Sequence, residues 1–144
     1  MSAPADRAPL AGLSIVLPVL DEAAGSAATL QPLQAWREAG AQVLVVDGGS
    51  HDGTPDLAAP FADRVLLAPR GRGAQMNAGA NAATGRLLLF LHADTRLPPQ
   101  ARPALADVLR GQPACWGRFD VRLDGAHPLL PLVAALMNFR SAIT

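Results

Sequence analysis

Cysteine is almost missing from this sequence. Cys115 stands alone, so no disulfide can staple the chain to itself, and a reducing, cytoplasmic setting is expected. An excess of positive charge is missing as well: 12 Lys plus Arg balance 12 Asp plus Glu, for a formal net charge of zero. No basic cluster interleaves with aromatics, so nucleic acid is not an expected partner. Long apolar runs are lacking too. None reaches the roughly 18–20 residues of a membrane span; residues 129–139 come nearest, but they are short and carry Pro131. Residues 1–11 mix Pro, Ala, Asp and Arg with no apolar stretch, which argues against a signal peptide. Residues 1–12 read instead as a disordered lead-in.

Half of the residues are hydrophobic, enough for one real core in a chain of single-domain length. Four short apolar runs, 13–17, 43–46, 65–67 and 87–91, end at turn or polar residues. Such runs predict strands buried on both faces, as in a parallel sheet. Between them, 26–39, 56–62, 73–83 and 101–109 have helical character. In the first of these Leu30, Leu33 and Trp36 fall near helical spacing and Gly40 is a stop signal. The order β-α-β-α-β-α-β-α predicts an α/β domain with right-handed crossovers. Alternation of Trp116, Arg118, Asp120 and Arg122 with Gly117, Phe119, Val121 and Leu123 predicts a further, edge strand over 115–123. Residues 128–144 begin an apolar helix. The expected organisation is thus a lead-in at 1–12, a domain at 13–127 and the start of a further region at 128–144.

In an open α/β sheet, ligands bind beyond the carboxyl ends of the strands, and each such end carries polar residues here. Asp21 and Glu22 follow the first run, and Asp47 ends the second. Arg70, Gly71 and Arg72 follow the third; His92 and Asp94 follow the fourth. In the segment VVDGGSHDGT (45–54), Gly48 and Gly49 let the backbone turn sharply and approach a flat ligand. The carboxylate of Asp47 can accept from a base N–H, whereas Asp52 or Ser50 can equally cap the next helix. Arg70 and Arg72 flank a glycine before a helix start, a combination that favours anions such as phosphate; two surface arginines without a ligand are the plainer reading. Neither a P-loop nor a dinucleotide-binding glycine motif is present. Asn77 and Asn81 lie one turn apart on the next helix and either face the same cleft or the surface. Asp94, in FLHADT (90–95), can hold a divalent cation through oxygen or cap the turn at Thr95. His92 is open between ligation, a ribose contact and packing.

Together these segments resemble glycosyltransferases of family 2. SIVLP (14–18) followed by Asp21-Glu22 is similar to the family opening S-I-V-I-P-x-x-N-E. Residues 45–54 resemble V-V-D-x-x-S-x-D-G-T, and RGRGAQMNAG (70–79) resembles G-x-x-x-A-x-N-x-G. Residues 90–95 stand in the place of the D-x-D metal motif. Order and spacing both match over roughly 13–95. RGRGAQMN and FLHADT also resemble a bacterial subgroup linked by name to arsenosugar biosynthesis. The resemblance implies a GT-A, Rossmann-like, mostly parallel sheet flanked by helices. It implies a nucleotide pocket shaped by Pro18 and Glu22, a uracil-type base held by Asp47, and Mg2+ or Mn2+ bound by Asp94 against the diphosphate. The implied reaction is metal-assisted sugar transfer from a UDP-type donor with inversion, and the acceptor is not implied.

Two departures stand out. His92 occupies the place of the first Asp of D-x-D. The carboxylate that serves as general base in inverting members lies well after D-x-D, within about 3 Å of the acceptor hydroxyl, and Asp107, Asp120 and Asp124 are the only acids after Asp94. The chain is therefore expected to stop before the acceptor half, whether as a truncated chain, a natural fragment or one completed by a partner. Three alternatives remain beside the transferase: a non-catalytic nucleotide-sugar-binding module, a nucleotidyltransferase, and a structural module. The nucleotidyltransferase is disfavoured by the lack of glycine in 17–22. The structural module would pair copies, or meet a membrane surface, through residues 129–139.

Overall fold

The computed structural model describes residues 8–111 and 116–142, which fall into two compact units, 1–112 and 113–144. In the first unit, four parallel strands form one sheet in the order β3-β2-β1-β4. They are β1 (Leu13–Val19), β2 (Gln42–Asp47), β3 (Arg64–Leu67) and β4 (Leu87–Phe90). All four apolar runs predicted as strands are strands. The helices are α1 (Ala23–Leu30), α2 (Gln34–Glu38), α3 (Thr54–Ala58), α4 (Arg72–Ala82) and α5 (Ala101–Gly111). The single helix expected over 26–39 is interrupted by a 3-10 turn at Gln31–Leu33, where Pro32 lacks the N–H that a continuous α-helix needs. Leu30, Leu33 and Trp36 are nevertheless all buried, and Gly40 takes φ +97° to end the segment.

β1 and β2 lie at the centre and are buried on both faces, as their unbroken apolar sequences require. Leu13, Ile15, Leu17 and Val19 face a core shared with α1, α2 and α5 through Leu30, Trp36, Ala106 and Leu109. Val16, Leu44 and Val46 face the other way, toward Ala78 and Ala82 of α4. There α4 packs so closely that a Cβ on Gly79 would lie 2.2 Å from Val16 Cγ1. Proline inside a central strand normally removes a ladder bond. Val16 offers its carbonyl to Leu91 N on the β4 side, and Pro18 faces that same side, two residues on. Register pairing with β4 ends at Val16↔Phe90, so Pro18 stands where that ladder stops.

Two expectations are corrected. Residues 8–12 are not disordered: they form a turn in which Leu10, 1% exposed, joins the core and donates its N–H to Ala39 O. Residues 1–7 lie outside the described residues. The strand expected at 115–123 is not formed over 116–123, and Cys115 lies outside the described residues. Alternation prepares an extended backbone but supplies no neighbouring strand. Here the carboxamide of Asn138 takes that place, accepting from Val121 N at 2.7 Å and donating to Val121 O at 3.0 Å. Asn138 belongs to α6 (Leu130–Ala142), the apolar helix expected from residue 128. Both lie in the second unit, which also contains the expected boundary at 127/128. Leu129, Leu132, Val133, Leu136, Met137 and Phe139 are exposed. Among the described residues no helix is long and apolar enough to cross a membrane.

Candidate functional site

Because all four strands run parallel, their carboxyl ends share one edge, with Val19 opposite Asp47 and Asp47 opposite Leu67. A cleft of about 240 Å³ opens there. It is lined by Pro18, Val19, Leu20 and Glu22 from the end of β1 and by Arg70, Gly71, Arg72 and Gln75 from the start of α4. Four residues singled out in the sequence, Pro18, Glu22, Arg70 and Arg72, are thus brought together. A somewhat larger hollow of about 290 Å³ lies between Pro9–Leu10 and α5, with Arg102 as its one charged side chain. It lacks converging polar groups and stands apart from the strand ends that carry the motifs.

Gly71 adopts φ +136°, a backbone state that L side chains rarely enter, and this directs the chain into α4. The first turn of α4 carries no acidic residue, so its unpaired N–H groups and the two guanidinium groups form a positive end. Among the described residues neither Arg70 nor Arg72 has an ion-pair partner. An exposed pair of arginines beside a helix start is suited to a phosphate or diphosphate.

The loops after β1 and β2 hold each other. Asp21 sits at φ +50°, a conformation Asp tolerates better than most residues. It receives His51 N at 2.8 Å and donates its own N–H to Ser50 Oγ at 2.8 Å. Glu22 N reaches Thr54 Oγ1 at 2.9 Å. Asp52 accepts from Ala23 N at 2.9 Å, at the start of α1, and from Thr54 N at 3.0 Å, at the start of α3. One carboxylate therefore caps two helices, which decides the open question about Asp52 in favour of capping. The Thr54 hydroxyl first, then the Ala23 N–H, hold its carboxyl below the usual carboxylate range.

Asp47 is 3% exposed and turned into its own loop. It accepts from Gly49 N and Ser50 N, each at 2.9 Å, and from Ser50 Oγ at 2.5 Å. These bonds fold the tight turn in which Gly49 takes φ +93°. The structure thus gives Asp47 a loop-shaping role. Asn77 is exposed and does not line the cleft. Gln75 and Gly79 face the sheet, and a residue two positions from Gln75 lies about 200° round the helix.

Gln75 had not been singled out in the sequence. It is buried at the inner wall of the cleft, and its Nε2 donates to Val19 O and Val46 O, each at 2.8 Å. Val19 is the last residue of β1 and Val46 the last but one of β2, so one side chain ties the ends of both central strands to α4. Its spacing of four from Gly79, the small residue against the sheet, is the signal that could have found it.

His92 and Asp94 are exposed on a turn closed by Thr95 N to His92 O at 3.0 Å. Thr29 of α1 donates its hydroxyl to Ala93 O and so ties this turn to the first core. Asp94 Oδ1 accepts from Thr95 Oγ1 at 3.3 Å. Among the described residues no three His, Cys, Asp or Glu side chains cluster as a ready metal cage. A single exposed carboxylate does fit the mode in which Mg2+ is held by one or two carboxylates, waters and substrate phosphates; carboxylate and water ligands suit Mn2+ equally.

The family model described as glycosyl transferase family 2 matches residues 14–132. A Mycobacterium tuberculosis protein named as an uncharacterized glycosyltransferase is 33% identical over 108 residues, covering 74% of this chain and 48% of that protein. The chain thus spans about half the length of this relative. Mannosyl-3-phosphoglycerate synthase from Rubrobacter xylanophilus superposes with TM-score 0.59 at 27% identity, covering 72% of this chain and 37% of that one. A mannosyltransferase from Pyrobaculum calidifontis, solved with GDP-Man and Mn2+, gives TM-score 0.57 at 25% identity, covering 68% and 31%. The expected α/β sheet and the family resemblance therefore hold, and the chain belongs to glycosyl transferase family 2.

Proposed function

We propose that this chain binds the nucleotide-diphosphate sugar donor of a metal-assisted, inverting glycosyl transfer, with a UDP-sugar as donor. The observation that carries this reading is the cleft at the strand ends, where Arg70 and Arg72 flank the α4 start opposite Pro18 and Glu22. The arginines and the α4 N–H groups take the diphosphate oxygens. Glu22 offers carboxylate acceptors to hydroxyls, Pro18 gives a rigid apolar wall, and the 47–54 loop, with Gly49 at its turn, lies beside the base. Asp94, with His92 beside it, would hold Mg2+ or Mn2+; when bound, the ion neutralises charge on the departing nucleoside diphosphate. The general base is assigned to none of the described residues. The mannosyltransferase solved with GDP-Man and Mn2+ supports the donor class and the metal. The base preference and inversion rest on the family resemblance, and the arsenosugar-linked subgroup on RGRGAQMN and FLHADT alone.

Thermal unfolding with UDP, GDP and their sugars, each with and without Mn2+, tests the reading. A ligand at about 100 times its Kd adds about 2.7 kcal/mol of stability. A shift with one nucleotide that needs Mn2+, and is abolished in Asp94→Ala, is expected; no shift with any nucleotide, from a folded sample, refutes the donor site. His92 in place of a carboxylate favours a second reading, a binding module without turnover. That reading is supported if donor binds and no sugar or nucleoside diphosphate is released.

A further inference from the structure

We propose that Gln75 is a specificity-determining residue of this cleft, whose side-chain oxygen accepts a hydrogen bond from an N–H or O–H group of the bound nucleotide. The inference rests on the cleft being a nucleotide site. A carboxamide has one donor end, with two hydrogens, and one acceptor end. Both hydrogens of Gln75 are directed to carbonyls, Val19 O and Val46 O, and a carbonyl can only accept. The amide therefore cannot turn over, and Oε1 points away from the two strand ends.

Gln75 is 4% exposed. Among the described residues nothing donates to its Oε1, yet no buried side-chain polar atom there lacks a partner. Oε1 is therefore not sealed, and the space that Gln75 lines is the cleft. The β2–α3 loop makes room for this arrangement. A Cβ at Gly48 would lie 3.0 Å from Gln75 Cδ and Oε1 and 3.1 Å from Nε2, so a side chain there would displace the amide. Arg70 and Arg72 can only donate, and Glu22 is a charged acceptor on a rim residue. Gln75 Oε1 is the cleft's one neutral side-chain acceptor, with its rotamer already fixed by two bonds. A ligand that places a methyl group or another acceptor there leaves Oε1 unpaired, which a site of this kind rejects strongly. The imide N–H of a pyrimidine base and the ribose hydroxyls are the donors a nucleotide can offer.

The test is calorimetric titration of the 144-residue chain with UDP, N3-methyl-UDP, 2′-deoxy-UDP and 3′-deoxy-UDP in Mn2+. GDP and N1-methyl-GDP are run alongside. One analogue is expected to lose about tenfold or more in affinity, and its identity names the donor group. In Gln75→Met that analogue and its parent should bind within about twofold of each other. Should Gln75→Met fail to fold, the native chain still decides: the Gln75 carboxamide 1H–15N signals shift with the parent nucleotide and not with the weakened analogue. Equal binding of every analogue to the native chain overturns the proposal, as does a loss that persists in Gln75→Met. Absence of binding by both UDP and GDP is a different result, and it defeats the donor-site reading together with this proposal.

Discussion

Gly79→Ala tests the packing that sets the cleft's inner wall. On helix propensity alone the change should stabilise α4 by about 0.8–1.0 kcal/mol. Against that, the new Cβ would stand 2.2 Å from Val16 Cγ1 and 3.1 Å from Val46 Cγ2. Carbon atoms pack at about 3.5–4.0 Å, so something must retreat by about 1.3–1.8 Å. Val16 is fully buried and β-branched, so it has little rotamer freedom with which to yield. Overpacking of this kind costs about 1–3 kcal/mol, and a contact this short belongs at the upper end. The net expectation is a loss of about 1–2 kcal/mol, or a Tm lower by roughly 3–8 °C for a chain of this size. Val16→Ala should restore part of that loss when combined with Gly79→Ala, giving a coupling energy of about 1 kcal/mol in a double-mutant cycle. Thermal and urea unfolding of the four proteins measure it. An unchanged or raised Tm in Gly79→Ala would refute the close approach of α4 to β1, and with it the seating of Gln75.

Other expectations follow from the same geometry. Burial alone would raise the carboxyl of Asp63, but the hydrogen bonds from Arg37 (2.8 Å) and Val43 N (2.7 Å) outweigh it and hold it below the usual range. Asp52 is lowered as well. A depressed folded pKa gives stability that is present above the unfolded value of about 3.9 and is lost as pH falls through the folded value. Tm should therefore fall as pH drops below about 4, and fall less in Asp63→Asn, as read by calorimetry across that range. Arg72→Ala and Arg70→Ala should each weaken nucleoside diphosphate binding about tenfold, the size of one lost charge-assisted bond, with nucleosides lacking phosphate unaffected. Asp52→Ala should lower Tm more than Asp52→Asn, since Asn keeps one capping oxygen for Ala23 or Thr54.

Much of this architecture was legible because burial on both faces leaves little choice of residue. The runs at 13–17 and 43–46 read as central strands and are central strands. The segments that follow β1 and β3 carry residues that line the cleft, since a parallel sheet sends every carboxyl end to one edge. Direction of side chains was less legible. Asp47 stands at the strand end where a ligand contact was expected, but three donors from its own loop turn it inward. Asn77 was separated from the cleft by helix phase, which depends on which face of α4 meets the sheet; Gly79 marks that face only once its contact with Val16 is seen. Residues 116–123 show that alternation alone does not make a strand, because pairing is supplied by tertiary structure, and for Val121 a helix side chain supplies it instead.

The most direct test of the nucleotide cleft is a backbone 1H–15N titration of the chain with UDP and GDP in the presence of Mg2+. The account predicts that the largest shifts fall on Val19, Leu20, Glu22, Gly71 and Arg72, which border the cleft between β1 and α4. Shifts confined to Leu10, Arg102 and Ala106, around the larger hollow beside α5, or no shifts at all, would contradict it.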